Sequence, residues 1–321
     1  RAGSLDLEMK EIKIYCDKDG WADRTEVVQH DESHQLIEEF MLLANESVAT
    51  ALDKASIPHV NRVHDDPDPE KLAALREELA GNGFKVGDLT HRSEMVKLLA
   101  SLKDREDGYT IRIQLLRSLK QACYRPSPDG HFGLAKLHYS HFTSPIRRYS
   151  DLLEHRIFDA FIQKQGVRSA PKEPLRSPGI SELTRSCEHI SITERNSSEA
   201  ERDSVKIKLL ELFEREVERA DKRPFEATIT DVKPHGLMVE LNASQAYGLV
   251  HMSTLTDDYY RLNDRGNMLV GSRTGRKFMP GGVIQVTVDR VDRFKRQVDF
   301  RLYDDRQVQK PRGPERRKGQ R

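Results

Sequence analysis

The sequence predicts an α+β portion over residues 1–221, followed by an all-β barrel over residues 222–305. Two observations indicate this order. Through the first part, apolar residues recur at helical spacing between short alternating segments such as residues 11–15. After residue 222, five short strands separated by turns follow within about eighty residues, which favours a small closed barrel. A length of 321 residues also suits about two domains.

Composition excludes several classes of protein. Cys16, Cys123 and Cys187 lie far apart and form no Cys-x-x-Cys pair, so neither a disulfide framework nor a zinc knuckle is indicated. No apolar run approaches the ~18 residues of a membrane span, and no signal peptide is visible. We therefore expect a cytoplasmic protein without a membrane partner. Because the chain opens without Met, we also expect a fragment of a longer protein.

The first long helix is predicted from Ser33, with one buried stripe. The stripe consists of Ile37, Phe40 or Met41, Ala44, Val48, and Ala51 or Leu52. Glu38, Glu39 and Asn45 flank it, and the pattern alone favours a solvated edge for all three.

The acidic run over residues 65–70 could be read as a metal site. Its two prolines favour a helix start instead, with Asp68 and Pro69 opening a helix over Glu70–Leu79. Residues 163–179 are rich in Lys, Arg, Ser and Pro and predict a surface loop. A long helix is expected from Ser181 to about Arg219.

The stretch from His138 to Arg156 carries the strongest chemical signal. Ser144 is predicted as the N-cap of a helix and Pro145 as its first residue. The buried face of this helix is predicted as Ile146, Tyr149, Leu153, Ile157 and Ala160 or Phe161. His138 and His141 have His-x-x-His spacing, but no Glu or Cys accompanies them at ligand spacing. We predict hydrogen-bonding imidazoles and no metal ligand in this chain.

Arg147 and Arg148 would then lie in the first helical turn, where the helix dipole is positive. Free N–H groups and two guanidinium forks together predict a phosphate site. Asp151, one turn beyond Arg147, is predicted to hold that side chain. A surface helix whose arginines pair with acids elsewhere is the alternative, and the spacing leaves both open.

This stretch closely resembles the signature of the RNase II/RNase R (RNB) family of exoribonucleases. The matching positions are Tyr139, His141 to Tyr149, Asp151, Leu152, His155 and Arg156. Residues 34–45, 62–71, 111–122, 130–135 and 193–203 also resemble segments of that family. The resemblance implies processive 3′-to-5′ hydrolysis of single-stranded RNA to 5′-nucleoside monophosphates.

By the same resemblance, the reaction uses Mg²⁺ held by an aspartate cluster, Asp-Pro-x-x-Ala-x-Asp-x-Asp-Asp. The sequence lacks this cluster. We expect its place to be upstream of Arg1, and the chain alone to be inactive. A non-catalytic RNA-binding protein on a degenerate RNB scaffold is the alternative, and the reading frame upstream of Arg1 would discriminate the two.

The resemblance also assigns roles to residues. Arg147 would contact the scissile phosphate and act in catalysis, and four further residues would position or support that end of the RNA: His141, Thr143, Ser144 and Arg148. Glu201 could approach the RNA end, although a salt-bridged helix face explains it equally well. One of Glu38 and Glu39 would face the RNA channel.

The carboxy-terminal strands resemble the OB-fold RNA-binding domain named for ribosomal protein S-one. The resemblance lies in His235-Gly236, residues 248–251, residues 258–260 and Val291-Asp292. It implies RNA contacts by Phe225, His235, His251 and Tyr260. Tyr259 and Phe300 would instead fill the barrel.

The tail over residues 306–321 is basic, broken by Pro and Gly, and predicted to be disordered. It resembles the tails of RNase R proteins and suits sequence-independent phosphate binding. The expected partner is single-stranded RNA, with the ribosome or RNA-decay proteins as further partners.

Overall fold

A computed structural model describes residues 3–5, 11–28, 31–81, 83–102, 105, 108–167, 177–263 and 266–303. The chain forms two compact units, residues 1–11 with 28–203 and residues 12–27 with 204–321. This division differs from the predicted boundary at 221/222, because one long helix contributes to both units and an amino-terminal hairpin belongs to the second. The predicted tail over residues 306–321 lies outside the described residues.

The helices of the described residues are α1 (Glu32–Lys54), α2 (Pro69–Gly81), α3 (Arg92–Ser101), α4 (Gly108–Ser118), α5 (Tyr149–Lys164) and α6 (Ile180–Glu218). The strands are β1 (Glu11–Cys16), β2 (Ala22–Val28), β3 (Asn61–Val63), β4 (Cys123–Arg125), β5 (Phe225–Lys233), β6 (Gly236–Leu241), β7 (Tyr247–His251), β8 (Tyr260–Leu262), β9 (Leu269–Gly271), β10 (Lys277–Phe278), β11 (Val283–Asp292) and β12 (Gln297–Leu302). None of the described helices is both long and apolar enough to cross a membrane.

Only the second half of α1 is buried. Asp31 caps the helix by accepting a hydrogen bond from the His34 N–H at 3.0 Å. Val48 and Leu52 lie in the core, as predicted, but Ile37 and Phe40 are 57% and 61% exposed. Asn45, predicted at a solvated edge, is instead buried and donates to the Tyr139 hydroxyl oxygen at 3.1 Å. The prediction of one buried stripe is therefore wrong for the first half of α1, because the described core packs only against its later turns.

The first unit has two apolar clusters. One joins α2, α3 and α4, and the other joins α1, β4, α5 and α6. The Asp68 carboxylate accepts from the Glu70 N–H at 2.9 Å, and α2 begins at Pro69, as the helix-start interpretation of the acidic run predicts. β3 pairs antiparallel with β4 and places Arg62 opposite Tyr124. This short pairing builds one wall of the site described below.

In the second unit, five strands close a barrel in the order β11-β12-β7-β6-β5, as predicted. β12 pairs parallel with β7, and the other neighbours are antiparallel. A Cβ at Gly248 would lie 2.2 Å from the Val298 carbonyl oxygen and against the Phe300 ring, so the close approach of β7 and β12 requires glycine. The long connection between β7 and β11 carries an unpredicted three-stranded sheet, β10-β9-β8.

The carboxy-terminal part of α6 completes the barrel core. Leu209, Leu210 and Phe213 are buried in the same apolar cluster as the barrel strands. The Phe213 ring lies edge-to-face with Phe225 at 6.1 Å and with Phe300 at 6.2 Å. The barrel core therefore includes part of a helix that the sequence assigns to the preceding portion.

Candidate active site

The signature segment turns tightly before its helix begins. The backbone N–H groups of Arg147 and Arg148 donate to the Ser144 carbonyl oxygen at 3.3 and 3.0 Å. Arg148 has extended backbone angles (φ −124°, ψ 120°) and is the N-cap residue of α5, which begins at Tyr149. The predicted helix start at Ser144 and Pro145 is therefore wrong, because the turn places both arginines before the first helical turn.

Asp151 holds this turn together. Its side chain is fully buried, and Oδ1 accepts from the Ser144 N–H at 2.8 Å and from Nη2 of Arg148 at 2.7 Å. Oδ2 accepts from the Ser150 hydroxyl at 2.9 Å. The predicted partner of Asp151 was Arg147, but the turn brings Arg148 to the carboxylate instead. Nε of Arg148 is buried and has no acceptor within the described part of the chain.

Arg147 lies on the exposed side of the same turn. Ile146 is 99% exposed and Tyr149 is 55% exposed, so the predicted buried face of α5 begins only at Leu153. The side chain of Arg147 makes no hydrogen bond or ion pair with any described residue. Its planar guanidinium fork is therefore available to an anionic ligand.

A neutral histidine lies behind the arginines. Nδ1 of His141 is 2.8 Å from the hydroxyl oxygen of Tyr124, and Ser150 Oγ is 3.2 Å from that oxygen. Burial, followed by the positive charges of Arg148 and Arg62, lowers the pKa of His141 to about 2. The imidazole is therefore uncharged near neutral pH and serves as a hydrogen-bond partner. His138 also makes a hydrogen bond, from Nδ1 to Asp53 Oδ2 at 2.6 Å.

Arg62 is a site residue that the sequence analysis missed. Its guanidinium carbon lies 4.6 Å from the centroid of the Tyr124 ring, and Nη1 is 2.5 Å from Oε2 of Glu194. The sequence shows only an arginine between Asn61 and Val63. The structure places these two neighbours in β3 and buries both. Only the pairing of β3 with β4 shows where this arginine points.

Two guanidinium groups belong to this polar cluster, and a third is adjacent in sequence. Arg62 lies over the ring whose hydroxyl contacts His141, Arg148 is held by Asp151, and Arg147 lies on the exposed side of the same turn. Glu194 compensates Arg62, and Asp151 compensates Arg148. Because Arg147 has no such partner within the described part of the chain, it can bind a further negative charge, such as a phosphate group.

The remaining predicted residues of the first unit are Thr143, Glu201, Glu38 and Glu39. Thr143 is half-buried in the turn. Glu201 is exposed on α6, two turns and about 10 Å beyond Glu194 on the same face of the helix. The carboxylate of α6 that contacts the site is thus Glu194. Glu38 and Glu39 are both exposed, so exposure does not distinguish between them.

In the barrel, His235 and His251 come together at one edge. Gly236 pairs with His251, and the Met252 N–H donates to the His235 carbonyl oxygen at 2.9 Å. Both histidine side chains are exposed. Phe225 lies at the start of β5, half-buried against Phe213, and is separated from these histidines by the length of the strand.

The two neighbouring tyrosines have the opposite environments to those expected. Tyr260 is only 6% exposed, packs against Phe278, and donates its hydroxyl hydrogen to Asp257 at 2.9 Å. It offers no ring face for a base. Tyr259 is 68% exposed and lies 5.5 Å from the guanidinium of Arg261. The cause is the unpredicted sheet β10-β9-β8, which turns Tyr260 inward. Phe300 fills the barrel as expected.

Comparison with known proteins decides the family. The model of the RNB domain matches residues 1–164, which include β3, β4 and the signature turn. The chain belongs to the RNB family. The model of the S1 RNA binding domain matches residues 220–302, the barrel strands. The α+β portion followed by an all-β barrel is thereby confirmed, as is the resemblance that rested on the signature segment.

RNB relatives match nearly the whole chain. The ribonuclease R of Thermotoga maritima is 36% identical over 95% of this chain and 42% of its own length. The ribonuclease R of Escherichia coli is 36% identical over 94% of this chain and 37% of its own length. The structure of Mycoplasma genitalium RNase R with ribose methylated single-stranded RNA aligns with a TM-score of 0.76 and 26% identity, covering 94% of this chain and 46% of that one. The chain thus spans about two-fifths of the length of these curated relatives.

RNB nucleases are metal-dependent, and such an ion needs oxygen or nitrogen ligands. Across the described ranges, no group of three or more His, Cys, Asp or Glu side chains could hold a metal ion. The residues that the structure describes therefore do not fit the ion that the family implies. What the arrangement offers chemically is binding and charge stabilisation by arginines, with no titrating group at His141.

Proposed function

We propose that this chain is part of a processive RNB 3′-to-5′ exoribonuclease that hydrolyses single-stranded RNA to 5′-nucleoside monophosphates. Within that enzyme it supplies the phosphate-binding side of the active site. The observation that carries the proposal is the signature turn, in which Arg148 is held by Asp151 while the neighbouring Arg147 is exposed and has no anionic partner among the described residues.

Each group has a distinct task in this proposal. Arg147 donates two hydrogen bonds to the scissile phosphate and stabilises the charge that develops on its oxygens. Arg148, held by Asp151, fixes the turn that aims Arg147. The hydroxyl groups of Thr143 and Ser144 lie in that turn and support the same end of the RNA. His141 keeps Tyr124 in place as a neutral partner.

The other parts of the reaction come from outside the described residues. We place the metal-binding carboxylates in a part of the RNB protein that this chain does not contain, with Mg²⁺ as their ion. The barrel edge with His235 and His251 binds single-stranded RNA, and exposed Tyr259 takes the role expected of Tyr260. We further propose a cytoplasmic location, with the ribosome or RNA-decay proteins as partners.

A chimera tests this proposal. The 321-residue chain would replace the matching region of Thermotoga maritima ribonuclease R, and mononucleotide release from single-stranded RNA would be measured with Mg²⁺. We expect release by the chimera and none by the chain alone. Metal-dependent release by the chain alone would contradict its assignment as the phosphate side only. The unmodified Thermotoga protein is the positive control.

A non-catalytic RNA-binding protein is the second candidate. The described residues support this candidate because they provide an arginine cluster and a barrel but no group of metal ligands. The same chimera decides between the candidates. A chimera that melts cooperatively and binds RNA, yet releases no mononucleotide, would support the non-catalytic role.

A further inference from the structure

The first half of α1 carries an apolar patch that no described core covers. Leu36, Ile37, Phe40 and Leu43 are 57–61% exposed, and Met41 is 39% exposed. None of the three apolar clusters of the described residues includes any of these five side chains. Single exposed apolar residues are common on protein surfaces, but a contiguous patch of this kind marks a surface that another molecule covers.

These side chains occupy one side of the helix. At about 100° per residue, Leu36, Phe40 and Leu43 lie within about 60° of one another and extend over about 10 Å of the helix axis. Ile37 and Met41 lie beside them and widen the apolar arc to about 160°. An arc this wide is typical of a helix packed into a groove or between two layers, and all five residues can contact one partner.

The patch continues a face that is buried further along the same helix. Ile37 and Met41 fall on the helical stripe of Val48 and Leu52, which lie in the core with residues of β4, α5 and α6. Among the residues of α1, burial begins at Asn45, whereas the apolar side chains begin two turns earlier. α1 thus has the side chains of a core helix over its whole length but is covered over only half of it.

Asn45 joins this helix to the signature segment. Its amide donates to the Tyr139 hydroxyl oxygen at 3.1 Å and accepts from the Phe142 N–H at 3.0 Å. Met41 lies one turn before Asn45, so the patch begins next to the segment that carries Arg147. Under the proposed function, the metal-binding carboxylates must reach the phosphate that Arg147 binds. The part of the RNB protein that supplies them must therefore lie close to the first half of α1.

The length of the relatives and the chemistry of the patch favour the same occupant. The chain spans about two-fifths of its curated relatives, so most of an RNB protein of that length is available to cover the patch. RNA is a poor occupant, because proteins bind it through cations and stacked rings, and this patch has one ring and no cation. A second copy of the chain would cover the patch only by self-association, which is measured in the same experiment.

We propose that the first half of α1 is the docking surface for the part of the RNB protein that carries the metal-binding carboxylates. Leu36, Phe40 and Leu43 insert into an apolar groove of that part. Docking fixes the carboxylates relative to the signature turn, because Asn45 binds α1 to the segment that leads into this turn. The identity of the partner rests on the proposed function, but the docking contact itself requires neither metal nor RNA.

Chemical accessibility tests the docking surface. Phe40→Cys, in a Cys16→Ser background, would be alkylated in the 321-residue chain and in the chimera with Thermotoga maritima ribonuclease R, with peptide mapping to identify the labelled thiol. We expect alkylation to be at least about tenfold slower in the chimera, because a covered thiol reacts only when the contact opens. Leu36→Cys provides a second position. Val167→Cys, at a site 78% exposed just after α5, is the matched control and should react equally fast in both proteins.

Stability gives an independent measurement. Phe40→Asp should leave the melting temperature of the chain alone unchanged within about 1 °C, because the ring is exposed there. In the chimera, the same change should lower the melting temperature by about 5 °C or more, because it places a carboxylate in an apolar contact. Val167→Asp should be neutral in both proteins.

Equal alkylation of Phe40→Cys and Leu36→Cys in chain and chimera would overturn the proposal. Protection that appears in the chain alone as its concentration rises would indicate a second copy and would also overturn it, as would protection by added single-stranded RNA. Hydrolysis by the chimera is measured separately. Hydrolysis without protection would overturn the docking surface and leave the proposed function standing, whereas protection without hydrolysis would support the docking surface and count against the proposed function.

Discussion

The buried carboxylate of Asp151 binds the guanidinium of Arg148 at 2.7 Å, three residues before it in the chain. The same oxygen accepts the Ser144 N–H, so one acid fixes both the arginine and the turn. Arg147, adjacent in sequence, remains exposed. Two neighbouring arginines thus have different roles, one within the scaffold and one toward the ligand.

Replacing Asp151 by Asn should destabilise the first unit by about 1–3 kcal/mol. The amide keeps an acceptor oxygen for the Ser144 N–H but removes the negative charge that Arg148 binds, so a half-buried guanidinium loses its counterion. Urea denaturation monitored by circular dichroism measures the change. Asp66→Asn is the control, because Asp66 is exposed and should shift stability by less than about 0.5 kcal/mol. Equal effects of the two variants would show that the Asp151 contacts contribute little.

Arg147→Lys in the chimera should lower the single-turnover cleavage rate strongly while RNA affinity barely changes. Lysine keeps the charge but loses the planar fork, so a contact made mainly in the transition state is lost, at a cost of roughly 2–4 kcal/mol. Rate and affinity are measured side by side, with circular dichroism to monitor folding. An equal fall in affinity and rate would make Arg147 a binding residue only.

Arg148→Lys is the matched comparison for that variant. Its guanidinium serves Asp151, so we expect a loss of folding stability of about 1 kcal/mol together with the loss of rate. Arg147→Lys should leave stability unchanged. If Arg147→Lys unfolds the chain while Arg148→Lys does not, the two roles assigned here are reversed.

Because of Glu154, the free energy of unfolding should fall as the pH rises from about 4.5 to 8. Its side chain is fully buried, and burial raises its pKa to about 8, against 4.5 for the unfolded chain. The folded protein therefore holds a proton that the unfolded chain releases in this window. The stabilisation is complete below pH 4.5 and is lost as pH approaches 8, with a slope of at most about 1.4 kcal/mol per pH unit.

Glu154→Gln should remove this slope, because the amide cannot ionise. Burial also lowers the pKa of His131 to about 3, and that of His141 is lowered as well; these groups destabilise the fold as pH falls below about 6.5. Both contributions cancel in the difference between wild type and variant. Thermal melts between pH 5 and 9 give that difference, and Glu77→Gln, at an exposed position, serves as the control. A constant difference across the range would contradict the assignment.

Phe213→Ala should destabilise the second unit by about 3–5 kcal/mol. The ring is 1% exposed and packs against Phe225 and Phe300, so truncation leaves a cavity in the barrel core. Phe294→Ala removes the same number of atoms from a ring that is 102% exposed and should be nearly neutral. Denaturant midpoints of the two variants compare them directly. Similar midpoints would show that α6 does not stabilise the barrel.

Deleting residues 306–321 should flatten the salt dependence of RNA binding. The tail carries seven cations and one acid, and each phosphate contact to a single strand adds about 0.7 to the slope of log affinity against log salt. A neutral Gly-Ser replacement of equal length separates charge from length. Affinities for a single-stranded oligonucleotide from 50 to 300 mM salt give the slopes. If they are unchanged, the tail does not contact RNA.

The sequence predicted element types better than their ends. The five short segments separated by turns after residue 222 identified the five barrel strands, because turn residues mark strand ends locally in the sequence. Asp68 and Pro69 marked the start of α2 correctly because the capping contact is local. The start of α5 was misplaced by four residues because a nonlocal contact, Asp151 to the Ser144 N–H, stabilises a turn where propensity favoured a helix.

The role of a residue could be predicted where a sequence motif determines it. It could not be predicted where the pairing of two strands determines it. The signature placed Arg147 and Arg148 together, but nothing local shows that Arg62 lies against Tyr124, because that contact depends on pairing across about sixty residues. The tyrosine pair was misassigned for a similar reason. Whether Tyr259 or Tyr260 points inward depends on the register of β8 with β9, which a three-residue strand does not reveal in sequence.

Helix α6 places a constraint on how this protein could change by recombination. Its early turns give Leu183, Cys187 and Ile190 to one core, and its late turns give Leu209, Leu210 and Phe213 to the other. A genetic crossover near residue 220, where the S1 match begins, would join the barrel of another protein to the end of this α6. The side chains at that helix end pack against the barrel of this protein and would not be complementary to the new one. Exchange of the barrel alone should therefore destabilise the protein. The segment that can be exchanged as a unit begins inside the helix, at about Ser204.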